Sequence, residues 1–542
     1  MFSIISYRLV IARKLRLNKT SLQNVVFLVL ATIFFAAFYE HYPKPGWADP
    51  AIYNSYAVFS DAYSYVDGFG QALNGATYQG SRLGHIIPLK FISELLGAVE
   101  GRLVYNTLLF LLFCISVIKI TSVYVKSLLG QILVCGYFLL NPQFVSSIVS
   151  GSTDGPAATY SLTSLVCLLF ALRNKSNFLS GLAGVCFGLA LSTHVFSLIP
   201  YFLALIALSF SGRISDERQK LLFYGKHVLW FLFGLALIIL MFSLYARHLG
   251  LEKFYLAYNF GRIQASIQGS GAQFWPPLYF WLQQATLWIG ITFLFIYTLF
   301  VNNKGISSDE CHEKILRRKI AILSFLLPLL FVFIFDFLIG GSMITSPHYF
   351  NAFFPCFVVG SVFLVSSWDY DLRRNAAFLV SIFFSFSAAF FLPDNYSLFS
   401  FNKIDSKDLL ISQQHLDYEI SRLVKNKNFN LVYSIADEND RQHAKHVDYF
   451  NGEKRIFDYL DSLAYIFPWV GDKMYRVDLR NLAETNVNLV KDLPTIILSR
   501  TENQLGRTLG MVQHPFGDFS IVRKKCGGHG IYQWCILVIE NG

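Results

Sequence analysis

Two acids frame the short stretch SDAYSYVDGF, residues 60–69: Asp61 and Asp67. A carboxylate at an aqueous boundary can act as a general base, taking the proton from an attacking hydroxyl. Such carboxylates can also gather a hard divalent cation, magnesium or manganese. No His/Cys ligand spacing in the chain demands a metal, so its identity is left open. The two acids lie six residues apart, so on a helix they project about 120° from each other and form no local pair. Asp154, in GSTDGPAA, is a further acid; Asp before Gly-Pro also suits a turn or a helix N-cap. Asp336 sits inside the apolar run FVFIFDFLIGG. A charge at mid-bilayer costs about 2.5–3.5 kcal/mol on insertion scales, so this side chain should face a cavity or a partner. Arg82, His85, Arg102, Arg262 and His348 bring cationic or hydrogen-bonding groups to stretches between apolar runs. A guanidinium fork matches an oxyanion such as phosphate; headgroup contact or snorkelling is the alternative for each.

These residues need elements to hold them. The chain has 542 residues, 54% apolar, 17% aromatic and 15% charged. Repeated apolar runs of about 18 or more residues imply transmembrane helices, which satisfy their own backbone in lipid. About eleven spans are expected, near 22–42, 103–125, 128–148, 157–173, 178–194, 197–212, 227–248, 277–301, 320–341, 349–367 and 375–392. The N-terminal YRLVIARKLRLNK is basic, and the first run ends in FYEHYPKPGW without a small-residue cleavage site, so an uncleaved first helix is expected. Arg8, Arg13, Lys14, Arg16 and Lys19 then place the N-terminus in the cytoplasm. Alternation puts Lys126, Arg173, Lys175, Arg213, Arg218, Lys220, Lys314, Arg317, Arg318, Lys319, Arg373 and Arg374 on the same side. The net charge of +10 therefore reports topology rather than a nucleic-acid partner. An odd number of spans sends the C-terminus outside.

The expected fold is an α-helical polytopic membrane protein over residues 1–392 followed by a small extracytoplasmic α/β domain over 393–542. The tail turns polar near Pro393, and LVYSIA, TIILSR and WCILVIE read as strands. Six of the eight cysteines fall in spans or a cytoplasmic loop, whereas Cys526 and Cys535 lie in KCGGHGIYQWC. The Gly-rich interval suits a hairpin. A disulfide there fits an oxidising compartment, and two buried thiols are the other reading.

The first outer loop, residues 43–102, is the longest before the tail, and long loops carry function more often than spacing. Within it Val58, Ala62, Tyr65, Phe69 and Leu73 recur at helical spacing, which predicts a helix lying in the interface. GHIIPLKFISELLGAVEG is a second candidate of this kind.

The order SDAYSYVDGFGQALNG, GSRLGHIIPLKFISELLG and GRLVYN resembles the first external loop of the GT-C glycosyltransferases. It is most similar to the bacterial branch related to protein O-mannosyltransferases and the lipid A aminoarabinose transferase. SGSTDGPAATYSLTSLVCLLFAL, GLAGVCFGLALSTHVFSLIPYFLAL and SPHYFNAFFPCF resemble later family segments in the same order. Two departures stand out: His194 occupies a place where lysine is common, and His348 one where arginine is common. Each weakens a fixed positive charge there.

The resemblance implies a bacterial inner-membrane enzyme. It would transfer a sugar from a polyprenyl-phosphate donor to an outer glycan, lipid or protein acceptor. It selects Asp61 as general base and Asp154 as second catalytic acid. Arg82, His85, Arg102, Arg262 and His348 become donor-phosphate candidates, and Tyr63, His194 and Asp336 cavity-lining ones. An O-antigen polymerase or ligase type of enzyme is the nearest alternative. A transporter would call for inverted repeats and midplane charges; a third alternative is a catalytically dead scaffold working through the tail.

Overall fold

A computed structural model describes residues 19–38, 64–66, 72–74, 82–96, 98–149, 153–209, 217–248, 254–257, 308–338 and 347–367, then, with isolated positions between 290 and 296 and between 415 and 422, residues 430–435, 446–450, 453–457, 473–478, 494–499, 501–513, 519–529 and 532–541. The description is mostly helical. Helix α1 spans Lys19–Phe38 and a two-stranded hairpin joins β1 (Ser64–Val66) to β2 (Ala72–Asn74). Then come α2 (Leu83–Leu96), α3 (Ala98–Tyr124), α4 (Leu128–Leu139), α5 (Pro142–Val149), α6 (Asp154–Asn174) and α7 (Asn177–Thr193). A 3-10 turn, Val195–Ser197, leads into α8 (Leu198–Ser209), followed by α9 (Glu217–His248) and α10 (Ser308–Phe333). Helix α10 runs on into a π-helical turn, Ile334–Leu338; a 3-10 segment, Pro347–Phe353, opens α11 (Phe354–Ser366).

Among the described residues four segments are long and apolar enough to cross a membrane: Leu103–Tyr124, Asp154–Asn174, Gly225–Arg247 and Lys314–Phe337. Shorter apolar helices among the described residues are Gln23–Ala36, Leu128–Leu139, Asn177–Thr193, Val195–Leu208 and Phe350–Ser366. The expected spans at 277–301 and 375–392 lie outside the described residues.

Two expectations are corrected. The stretch around Tyr65 is not helical at Ser64–Val66, which pairs antiparallel with Ala72–Asn74. Tyr65 and Val66 favour an extended backbone. The expected span 128–148 is two helices. Asn141 breaks it by accepting the Phe144 N–H on its side-chain oxygen at 3.1 Å, ahead of Pro142 at the first helical position.

Packing joins these helices through aromatic and small residues. Phe113, Phe144 and Phe354 from α3, α5 and α11 stack, with centroids 3.8 Å apart for the first pair and 4.2 Å for the last two residues. Phe187 on α7 stacks on Tyr201 of α8 at 4.1 Å. Buried hydroxyls find partners across helices: Ser116 with Thr163 at 3.0 Å, and Ser164 with Tyr201 at 2.9 Å. In lipid such bonds favour one packing, since an unpaired hydroxyl has no water to turn to. Leu229, Phe233, Leu237, Leu240 and Leu244 stand exposed along α9, as expected of a helix that meets acyl chains.

Toward the C-terminus, β3 (Asn430–Ile435), β6 (Lys473–Asp478), β7 (Thr495–Ser499), β8 (Phe519–His529) and β9 (Tyr532–Asn541) form one sheet in the order β6-β3-β7-β9-β8. Its β6, β3 and β7 run parallel, and β9 is antiparallel to both β7 and β8. Strands β4 (His446–Phe450) and β5 (Glu453–Phe457) make a separate hairpin, and α12 (Glu502–Gln513) follows β7. The expected hairpin is present as β8–β9. Cys526 lies directly opposite Cys535 across it, and the two are joined by a disulfide.

Candidate functional site

One end of the helical bundle collects ionisable side chains. The N-terminus of α6 places Asp154 in its first turn, where the helix dipole favours a negative charge. The preceding Thr153 is the N-cap residue yet makes no side-chain capping bond; its hydroxyl instead accepts from the Arg82 guanidinium. Arg82 sits just ahead of α2, and His85 lies in that helix's first turn. Its Nδ1 hydrogen-bonds the Tyr105 hydroxyl at 3.0 Å, and Tyr105 reaches Tyr160 at 3.5 Å. His194 closes α7, with Nε2 3.7 Å from Asp154 Oδ1. Arg82, His85, Asp154 and His194 are all below 10% exposed, at 7%, 1%, 4% and 7%. Burying that many ionisable groups is costly unless they pair with one another or serve a ligand.

The approach of α2 to α7 builds this cluster. A side chain at Gly84 would overlap the Leu189 carbonyl and come within 2.6 Å of the Thr193 hydroxyl. Glycine there lets the two backbones close up, bringing Arg82 and His85 beside the end of α7. Tyr255, wholly buried, bonds Ser192 at 2.7 Å and so ties the start of the next inter-helical segment to the same place.

No family model matches the chain, and neither a curated protein nor a solved structure does. Asp336 is 6% exposed on the π-helical turn at the end of α10. Its neighbour Phe335 packs edge-on against Phe196, two residues past His194, with centroids 6.1 Å apart. His348 belongs to the 3-10 segment that leads into α11, and Phe353 of that segment also meets Phe196, at 6.0 Å. Arg102 lies near the start of α3. Nothing is described of the side chains of His348 and Arg102. Asp61, Tyr63, Asp67 and Arg262 lie outside the described residues.

Arg82 and His85, Asp154, and His194 are thus brought together from three separate stretches of sequence. Tyr105, Tyr160 and Thr153 belong to the cluster as well, although the sequence reading did not single them out. A signal existed: ATYSLTS, residues 158–164, is a polar run inside a span. Among the described residues no three His, Cys, Asp or Glu side chains converge as a metal site. The cluster can accept or donate protons, through Asp154 and the two imidazoles, and can hold an anion through Arg82.

The opposite end of the bundle differs in charge. Arg173 lies in the last turn of α6 and Lys175 caps it, and Arg317 on α10 donates to the Ser366 carbonyl at the end of α11 at 3.2 Å. There cations meet helix C-termini, where the dipole favours them.

Proposed function

We propose that this chain is an integral membrane glycosyltransferase. It moves a sugar from a polyprenyl-phosphate donor to an acceptor hydroxyl on the extracytoplasmic side. The observation that carries this reading is the buried cluster of Arg82, His85, Asp154 and His194 at one end of apolar helices. A lipid-borne substrate enters from the bilayer, and its phosphate then meets a guanidinium at the helix ends. The asymmetry of charge supports the orientation: Arg173, Lys175 and Arg317 mark the cytoplasmic end under the positive-inside rule. The cluster end, and with it the C-terminal sheet, then belongs to the outer, periplasmic side.

The reaction is a direct displacement. Asp61 takes the proton of the acceptor hydroxyl as the oxygen attacks the anomeric carbon. The bond from that carbon to the phosphate oxygen breaks, and polyprenyl phosphate leaves with the electron pair. Arg82 stabilises the charge growing on the phosphate, a role worth about 10²–10³ in turnover for a well-placed donor. Asp154 orients the reacting hydroxyls.

Purified protein in liposomes, supplied with a panel of polyprenyl-phosphate sugars and membrane glycan acceptors, tests the reading. Wild type should release polyprenyl phosphate in step with sugar transfer, and Asp61→Asn at equal expression should lose it. Full turnover in Asp61→Asn would remove Asp61 as the base. A wild type silent toward the whole panel would overturn the transferase reading. One observation favours a transporter instead, the buried Asp336 on a π-helical turn at the end of a span. Solute uptake driven by a proton gradient, abolished by Asp336→Asn, would select that alternative.

A further inference from the structure

We propose that His194 is a positioning residue for Asp154, not a ligand for the donor phosphate. The proposal rests on the transferase reading for its activity test but on geometry for its content. The chain turns directly from α7 into the Val195–Ser197 3-10 turn, and His194 is at once the C-cap of the first and the N-cap of the second. In that role its Nδ1 accepts the backbone N–H of Phe196 at 3.2 Å. A ring nitrogen that accepts an N–H carries no proton, so the neutral ring holds its proton on Nε2. Nε2 is the atom that faces Asp154 Oδ1, at 3.7 Å.

The fold thus chooses the tautomer and turns the protonated nitrogen toward one carboxylate; at 3.7 Å the two are in electrostatic contact, a little beyond hydrogen-bond length. The backbone of Asp154 is held in the first turn of α6, which keeps its carboxylate at this end of the bundle. The ring is held from its other side as well. Phe196 meets it edge-on at 6.2 Å and is itself packed against Phe331, Phe335 and Phe353. A histidine committed in this way presents a polar N–H to the carboxylate and no fixed positive charge. It therefore sets the orientation of the Asp154 carboxylate toward a sugar or acceptor hydroxyl, and Arg82 is left as the cation of the cluster.

Two substitutions separate the cap from the donor. His194→Asn keeps an oxygen that can accept the Phe196 N–H but is too short to reach Asp154. His194→Gln returns an N–H near the Nε2 position but weakens the cap. His194→Asn should melt close to wild type while turnover falls roughly 10²-fold, with the donor KM changed little, since small misplacements of a reacting group cost about that much. His194→Gln should recover about tenfold of the loss. Wild-type turnover in His194→Asn together with a poor His194→Gln would make the histidine a cap only and overturn the proposal.

A second arm does not depend on activity. In protein labelled with ¹⁵N-histidine, the signal absent from His194→Gln should carry the shifts of a neutral ring protonated at Nε2, and should move in Asp154→Asn. An Nδ1-protonated ring at that position overturns the proposal whatever the activity. The expected tautomer in a protein with no transferase activity would count against the transferase reading alone.

Discussion

Arg82, His85, Asp154 and His194 acquire meaning from their partners. His85 reads in sequence as a candidate phosphate ligand, yet its Nδ1 is engaged by Tyr105, which also touches Tyr160. Removing that one hydroxyl tests how much the chain contributes. Tyr105→Phe leaves the buried His85 nitrogen without this partner and should lower stability by about 1–3 kcal/mol, the cost of stranding a buried polar group. Thermal unfolding in detergent measures it, and an unchanged midpoint would mean that the bond contributes nothing net. Thr153 carries a related lesson. A Thr ahead of a helix reads as a cap, but here its hydroxyl is taken by Arg82. No local pattern could reveal that choice, because Arg82 and Thr153 are 71 residues apart.

At the scale of elements, the close approach of helices decides where the site residues stand. Helices α7 and α9 touch through glycines. A Cβ at Gly184 would overlap the Phe231 carbonyl, and one at Gly234 would overlap the Gly181 carbonyl. Small residues of this kind let membrane helices approach closely enough for dispersion and weak polar contacts to hold them. Gly184→Val should therefore force α9 away and cost about 1–3 kcal/mol or more, as overpacking does. Gly136 on α4 has no atom within 4 Å of the corresponding position. Gly136→Ala should be neutral or gain about 0.5–1 kcal/mol from helix propensity. Melting both variants beside wild type is the check, and equal behaviour would show that the glycine contact does not fix the α7–α9 packing. The β1–β2 hairpin makes the opposite point. Its apolar residues match a helical period, but aromatic and β-branched residues flanking two glycines suit a tight antiparallel pair as well. Short segments leave the period ambiguous.

For the whole molecule, the sheet and the helices respond to different conditions. Cys526 and Cys535 are bridged across β8–β9. If that sheet faces the periplasm, neither thiol should react with a maleimide in unreduced, denatured protein, and both should react after reduction. Labelling before reduction would place the sheet in a reducing compartment and break the proposed topology. The sheet also carries an acid-sensitive contact. Glu419 is buried beside Lys525 and Arg523. The hydrogen bond from Lys525 holds its carboxyl below the ordinary range; partial burial opposes this, and the charges of Lys525, Arg422 and Arg523 add to it. A lowered carboxyl value stabilises the folded form above the unfolded value of about 4.3, and that contribution disappears as pH falls through the lower folded value. Glu419→Gln should be less stable than wild type at neutral pH. Its unfolding midpoint should depend less on pH between about 5 and 3, and equal slopes would exclude Glu419 as the source.

Composition and apolar runs already give a mostly helical chain with helices long and apolar enough to cross a membrane, because such runs in lipid admit only self-satisfied helices. The same pattern shows the β8–β9 hairpin and, beside apolar runs, the ionisable Arg82, His85 and Asp154, which are costly to keep without a use; His194 stands out only through the family resemblance. Which of them meet depends on how the helices pack. Asn141 divides an apolar run that hydropathy joins, Gly84 lets α2 close on α7, and the turn after α7 fixes which nitrogen of His194 faces Asp154. These are relations between segments that pack side by side. Their energies depend on distances of a few ångströms that no one-dimensional pattern contains.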